Sequence, residues 1–75
     1  MTDIDDIGSI EVSVNGDRRD VATGTTVADL VATLTTAAKG VAVAVDEAVV
    51  PRGAWAETVL DAGNRVEVLT AVQGG

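Results

Sequence analysis

Cysteine and histidine are both absent from this 75-residue chain. No disulfide can hold the fold together, and no thiol can act as nucleophile or metal ligand. The common zinc sites and the Ser-His and Cys-His catalytic pairs are excluded with them. Basic residues are scarce: five Lys and Arg stand against twelve Asp and Glu, a net charge of −7, with Lys39 the only lysine. Nucleic acid, which takes a Lys or Arg at each phosphate contact, is therefore an unsuitable partner, and an anionic membrane surface would repel the chain. Trp55 is the sole aromatic, so no platform for stacking bases exists either. Long apolar runs are missing too. The longest strictly apolar stretch, "VAVAV" at 41–45, falls far short of a membrane span. "MTDIDDIG" at the start carries three aspartates and no positive charge, unlike a secretory signal. These exclusions lead us to expect a cytoplasmic protein that is not an enzyme. Scattered carboxylates are its only internal acid-base groups, and its acidic surface serves solubility.

What is present reads as one small domain near the lower size limit for a single apolar core. Residues 1–8 form an acidic leader without a clear period. Asp3, Asp5 and Asp6 lack the glycine and distant glutamate of a calcium loop, so a solvated tail is the expectation. From Ser9, the alternation of Ile10, Val12 and Val14 with Glu11 and Ser13 predicts a half-buried strand. Asn15-Gly16 is a strong hairpin signal, followed by a weaker return strand, "RRDVA", with Val21 facing inward. Thr26 and Asp29 occupy capping-box positions, with Asp in place of the usual Glu. Val27, Leu30, Val31 and Leu34 then share one helical face, and the helix is expected to run to Lys39 and stop at Gly40.

Val41, Val43 and Val45 alternate with Ala42 and Ala44, giving a strand whose second face is smooth and mildly apolar. "VV" begins a short strand broken by Pro51, so this piece is an edge or a connection; Trp55 and Leu60 cover one end of the core, and "DAGN" at 61–64 turns the chain. The last strand starts at Arg65, with Val66 and Val68 inward and Glu67 and Leu69 outward. One amphipathic helix across a mixed sheet of four or five strands makes an α+β domain. Its limits are set at 9–72, with 73–75 as a C-terminal tail.

Two stretches invite a functional reading. "GTT" at 24–26 opens a helix but lacks the glycine and lysine pattern of a phosphate loop, so it is read as a turn and cap. The C-terminal "AVQGG" is different. Glycine loses more backbone freedom on ordering than any other residue, so a Gly-Gly end has little reason to be held by the fold. From Ala71 to Gly75 an extended chain reaches about 16 Å. Gln73 and Gly74 would thread a narrow channel in a partner, and a β-carbon on the glycines would obstruct it. The Gly75 α-carboxylate, ionised at neutral pH with a typical pKa of about 3.3–3.7, can attack a phosphate anhydride. Leu69, Ala71, Val72, Ala42 and Ala44 are the expected partner-docking patch on the uncovered sheet face beside the tail.

The block "VVPRGAWAETVLDAGNRVEVLTAVQGG", with the "VNG" hairpin and "TTVADLVATL" helix, resembles the ThiS family of sulfur carriers in thiamine biosynthesis, within the β-grasp, ubiquitin-like superfamily. The likeness spans residues 10–75, and its most specific parts are "VPR-x-x-W" at 51–55 and "AVQGG" at 71–75. It implies that an E1-like adenylyltransferase, using MgATP that it binds itself, adenylates Gly75. A persulfide from a cysteine-desulfurase-type donor then displaces AMP, and the resulting thiocarboxylate gives its sulfur to thiazole synthase. The carrier would bind no cofactor or metal and would be a monomer when free. Gly63-Asn64 stands where the family often has Gly-Asp, which would alter only a turn. The small subunit of molybdopterin synthase and a ubiquitin-like protein modifier share the same terminal chemistry and remain alternatives, as does an interaction domain with an idle tail.

Overall fold

The computed structural model describes residues 8–35 and 40–70. The acidic leader through Ile7, the 36–39 segment with Lys39, and the tail from Ala71 to Gly75 lie outside the described residues. Five strands form one mixed sheet: β1 (Ser9–Val14), β2 (Asp17–Ala22), β3 (Val41–Val45), β4 (Ala48–Val50) and β5 (Arg65–Thr70). Their spatial order is β2-β1-β5-β3-β4. The central pair β1–β5 is parallel and every other pairing is antiparallel. One α-helix, α1 (Val27–Leu34), and a 3-10 helix (Arg52–Glu57) complete the α+β architecture.

The local causes are visible. Asn15 and Gly16 both take positive φ, 52° and 91°, so the β1–β2 loop has the two-residue geometry that matches strand twist. At Thr26 the capping box is complete. The hydroxyl accepts from the Asp29 amide, and the Asp29 carboxylate accepts from the Thr26 amide, each at 3.1 Å. Aspartate is long enough for the reciprocal bond.

The helix ends sooner than its apolar period predicts. It stops at Leu34, with Thr35 already extended at φ −157°, rather than continuing to Lys39. Thr33 turns its hydroxyl back to the Leu30 carbonyl at 2.7 Å, and threonines at 33, 35 and 36 make this a poor helical stretch. Gly40, at φ 73°, marks the entry to β3 instead of the helix cap.

The core lies between one face of the sheet and α1. Val12, Val14, Val43, Val66 and Val68 from the strands meet Val27, Leu30 and Val31 from the helix, with Trp55 and Leu60 closing one end. Leu34 and Val21 pack at its margin. No polar or charged side chain among the described residues is buried. The strand interiors are mostly valine, whose branched side chain fits a pleated, half-buried surface.

A second two-residue hairpin, unmarked by glycine or asparagine, joins β3 to β4. Asp46 and Glu47 both sit at positive φ, 52° and 74°. Side chains of Glu47 and the neighbouring turn hold this conformation down. The Asp46 carboxylate accepts from the Arg65 amide (2.8 Å) and from Asn64 Nδ2 (2.9 Å), and Arg65 reaches Glu47 at 3.0 Å. Asn64 also accepts from the Asp61 amide through Oδ1. An aspartate at position 64 could accept from Asp61 but could not donate to Asp46. The Asn64 departure is thus a tie between two turns and does more than reshape one.

Candidate functional site

The sheet face opposite α1 is open among the described residues, and its composition is divided. On β1 and β2 it presents Glu11, Ser13, Arg18 and Asp20, in register as Glu11 with Asp20 and Ser13 with Arg18. On β5, β3 and β4 it presents Leu69 beside Ala42, Glu67 beside Ala44, and Ala44 beside Val49. Leu69 is 67% exposed and Val49 76% exposed. Alanine methyls form a low floor between these larger side chains. The result is a shallow hollow of about 80 Å³ lined by Ala42, Val43, Ala44, Val49, Glu67 and Leu69.

The structure therefore brings Leu69, Ala42 and Ala44 together on one surface, as the alternation in the sequence requires. Ala71, Val72, Gln73, Gly74 and Gly75 lie outside the described residues. Val49 was not foreseen. Its place depends on the Asp46-Glu47 hairpin, and without that turn nothing in the sequence puts β4 beside β3. The only available signal was the alternation "AVV" with its middle residue outward, too short to assign a face.

β5 ends at Thr70, opposite Val41 at the start of β3, so the apolar half of the face lies along the strand that leads into residues 71–75. On its other side, β5 is bound to β1 by backbone bonds from Ser13 to the Asn64 carbonyl (3.0 Å) and from Asn15 to the Val66 carbonyl (2.8 Å). Beyond that point the Asn15 side chain takes over. Its Oδ1 accepts from the Val68 amide at 2.9 Å and its Nδ2 donates to the Val68 carbonyl at 3.2 Å.

No group of three or more Asp or Glu among the described residues is placed to hold a metal ion. At "GTT", Thr25 donates to the Ala22 carbonyl and Thr26 caps α1, so both hydroxyls serve the turn. No helix among the described residues is long and apolar enough to cross a membrane. Among the described residues, the open face thus carries an exposed apolar patch, with Leu69 and Val49 standing around Ala42 and Ala44.

Comparison with known proteins agrees with this geometry. The profile of the ThiS family matches residues 12–75. No curated protein matches the sequence. Among solved structures, the crystal structure of a thiamine biosynthesis protein (ThiS) from Geobacter metallireducens superposes with a TM-score of 0.74. That protein is 30% identical, and the match covers 88% of this chain and 100% of the other. With the five-stranded mixed sheet, the one α-helix among the described residues and a family match running to Gly75, the chain belongs to the ThiS family of the β-grasp superfamily.

Proposed function

We propose that this protein carries sulfur for thiamine biosynthesis on the carboxyl group of Gly75. The family match that extends through the diglycine to residue 75 is the observation that carries this reading. In the proposed cycle, an E1-like enzyme binds MgATP and the Gly75 carboxylate attacks the α-phosphate. Pyrophosphate leaves and an acyl-adenylate remains. A persulfide then attacks the acyl carbon, AMP departs, and a second thiol cleaves the S–S bond to free the thiocarboxylate. Thiazole synthase is the acceptor. Activation is needed because a carboxylate is a poor acyl donor. The carrier itself contributes a folded handle and no catalytic side chain, in keeping with its lack of Cys and His.

The test is an intact mass measured after incubation with the adenylating enzyme, MgATP and a persulfide donor. Exchange of one oxygen for sulfur at the C-terminus supports the carrier. Higher-mass conjugates on other proteins support a modifier instead. Transfer of sulfur to a pterin rather than to the thiazole precursor would assign the chain to molybdenum-cofactor synthesis.

Docking is the second part of the proposal, with Leu69, Ala42, Ala44 and Val49 as the surface for the adenylating enzyme. Leu69→Glu places a charge at the centre of this patch. Roughly tenfold or greater weakening of partner binding is expected, because an apolar anchor in a desolvated contact is worth about 2 kcal/mol or more. The thermal midpoint should stay within a few degrees, since Leu69 is exposed in the free protein. Calorimetric titration with the adenylating enzyme, alongside thermal unfolding, checks both halves. A large loss of stability would place Leu69 in the core.

A further inference from the structure

We infer that Asn15 is a positioning residue for the C-terminal tail, acting from 53 positions away in sequence through its side-chain hydrogen bonds to Val68. The inference rests on the sulfur-carrier reading and deepens it. β1 runs parallel to β5 only as far as Val14 opposite Val66. At Asn15 the backbone swings into the hairpin at φ 52°, and its own carbonyl can no longer continue the ladder. The side-chain amide stands in for the missing peptide group. It accepts from the Val68 N–H and donates to the Val68 C=O, satisfying both on the side that β1 has left.

From Val68 to Thr70 the other side of β5 pairs with Val43, Ala42 and Val41 of β3. The Asn15 amide is the contact that holds this last stretch from the β1 side, immediately before residues 71–75. Among the side chains, asparagine fits both demands of the position. It accepts a left-handed backbone more readily than most residues, and its short amide both donates and accepts. Aspartate would keep the bond from the Val68 amide but oppose its carbonyl with charge. Glycine would keep the turn and remove the amide altogether.

That contrast supplies the experiment. Adenylation of the full-length protein by its E1-like enzyme is followed by ATP–pyrophosphate exchange, with backbone amide exchange followed by NMR on the free protein. Asn15→Gly is expected to retain a wild-type circular dichroism spectrum and to lose about ten- to a hundredfold in kcat/KM. The loss should fall more on kcat than on KM, because Ala42, Ala44 and Val49 remain on β3 and β4 to dock. Asn15→Asp should lie between, and the Val68 amide should exchange faster in Asn15→Gly. Asn64→Ala is the control. It removes comparable hydrogen bonds at the opposite end of β5, and it should lower the melting temperature without changing kcat.

Wild-type turnover by Asn15→Gly would overturn the inference, as would an equal loss of kcat in Asn64→Ala. If the unaltered protein is never adenylated, the sulfur-carrier reading falls first. Amide exchange at Val68 then decides whether Asn15 anchors the strand, and undiminished protection in Asn15→Gly would refute the anchoring as well.

Discussion

Removal of Gly75 is expected to lower adenylation by at least a hundredfold and to leave the melting temperature unchanged. The truncated chain still ends in a carboxylate, on Gly74, so the chemical group survives. What changes is reach. One extended residue spans about 3.5 Å, and reacting atoms must come within about 3–3.5 Å in an aligned geometry. With the docking face unaltered, the carboxylate would stop one residue short of the phosphate. Misplacement by a single ångström can already cost about a hundredfold. Stability should be indifferent, because among the described residues every buried core residue lies between Val12 and Val68. Gly74→Ala tests the channel rather than the reach. Its carboxylate arrives at the right depth, but a β-carbon widens the segment that must thread. ATP–pyrophosphate exchange with each variant, read beside thermal unfolding, separates the two causes. Normal adenylation of the truncated protein would mean that the length of the tail does not set the position of the reacting carboxylate.

The same residues show why much of the fold was legible and part of it was not. Ile10, Val12 and Val14 declared β1 by alternation, Asn15-Gly16 declared the turn, and Thr26 with Asp29 declared the start of the helix. Each signal is local: it depends on residues within a few positions of one another. Leu69, Ala42 and Ala44 were placed on one face by the same alternation, once β3 and β5 were accepted as strands. The failures are of two kinds. Asp46-Glu47 adopts a turn in which Glu47 takes a positive φ that its residue type does not favour, because Asn64 and Arg65, about 18 positions on, bind the side chains of the pair. Tertiary contact overrides local preference there, and Val49 was missed as a consequence. The end of α1 went astray for a different reason. Leu34 completed an apolar period, but Thr33 and Thr35 favour other backbone arrangements, and the periodic argument gave them too little weight.

Asn15 belongs to a third category. Its role in the hairpin was evident from the dipeptide, yet its role at Val68 depends on a parallel pairing between the first and last strands. Pairings of such long range leave no local trace. An asparagine that serves a turn looks the same in sequence whether or not its amide also completes a distant ladder.

Trp55→Ala should produce a loss of stability comparable to the whole stability of so small a domain. Trp55 is 8% exposed and lies in the core cluster beside α1. Its Nε1 donates to the Val50 carbonyl at 2.9 Å, tying the 3-10 helix to the end of β4. Pro51 separates them at φ −62°, stopping the strand and starting the helical turn. "VPR-x-x-W" is therefore a packing device: the proline redirects the chain and the tryptophan returns to cover the core. Arg52, 6.0 Å from the ring centroid, lies over its outer face. Truncating a buried Trp to Ala typically costs about 3–5 kcal/mol. A single core in so short a chain rarely supplies more than about 3–5 kcal/mol in all. Two quantities of the same size leave little margin, so the variant is expected to be largely unfolded at 25 °C, without a cooperative thermal transition. Trp55→Phe separates packing from hydrogen bonding. It keeps most of the buried area but leaves the Val50 carbonyl without its indole donor, an expected cost of about 1–3 kcal/mol and a folded protein with a lower midpoint. Arg52→Ala, which removes only the cation over the ring, should cost about 0.5–1 kcal/mol. Urea titrations followed by circular dichroism would rank the three, and they do not depend on the tryptophan fluorescence that two of the variants lose. A Trp55→Ala protein that unfolds within a few degrees of the wild type would show that the 3-10 segment lies against the core without helping to hold it, and the motif would then require an explanation in partner binding.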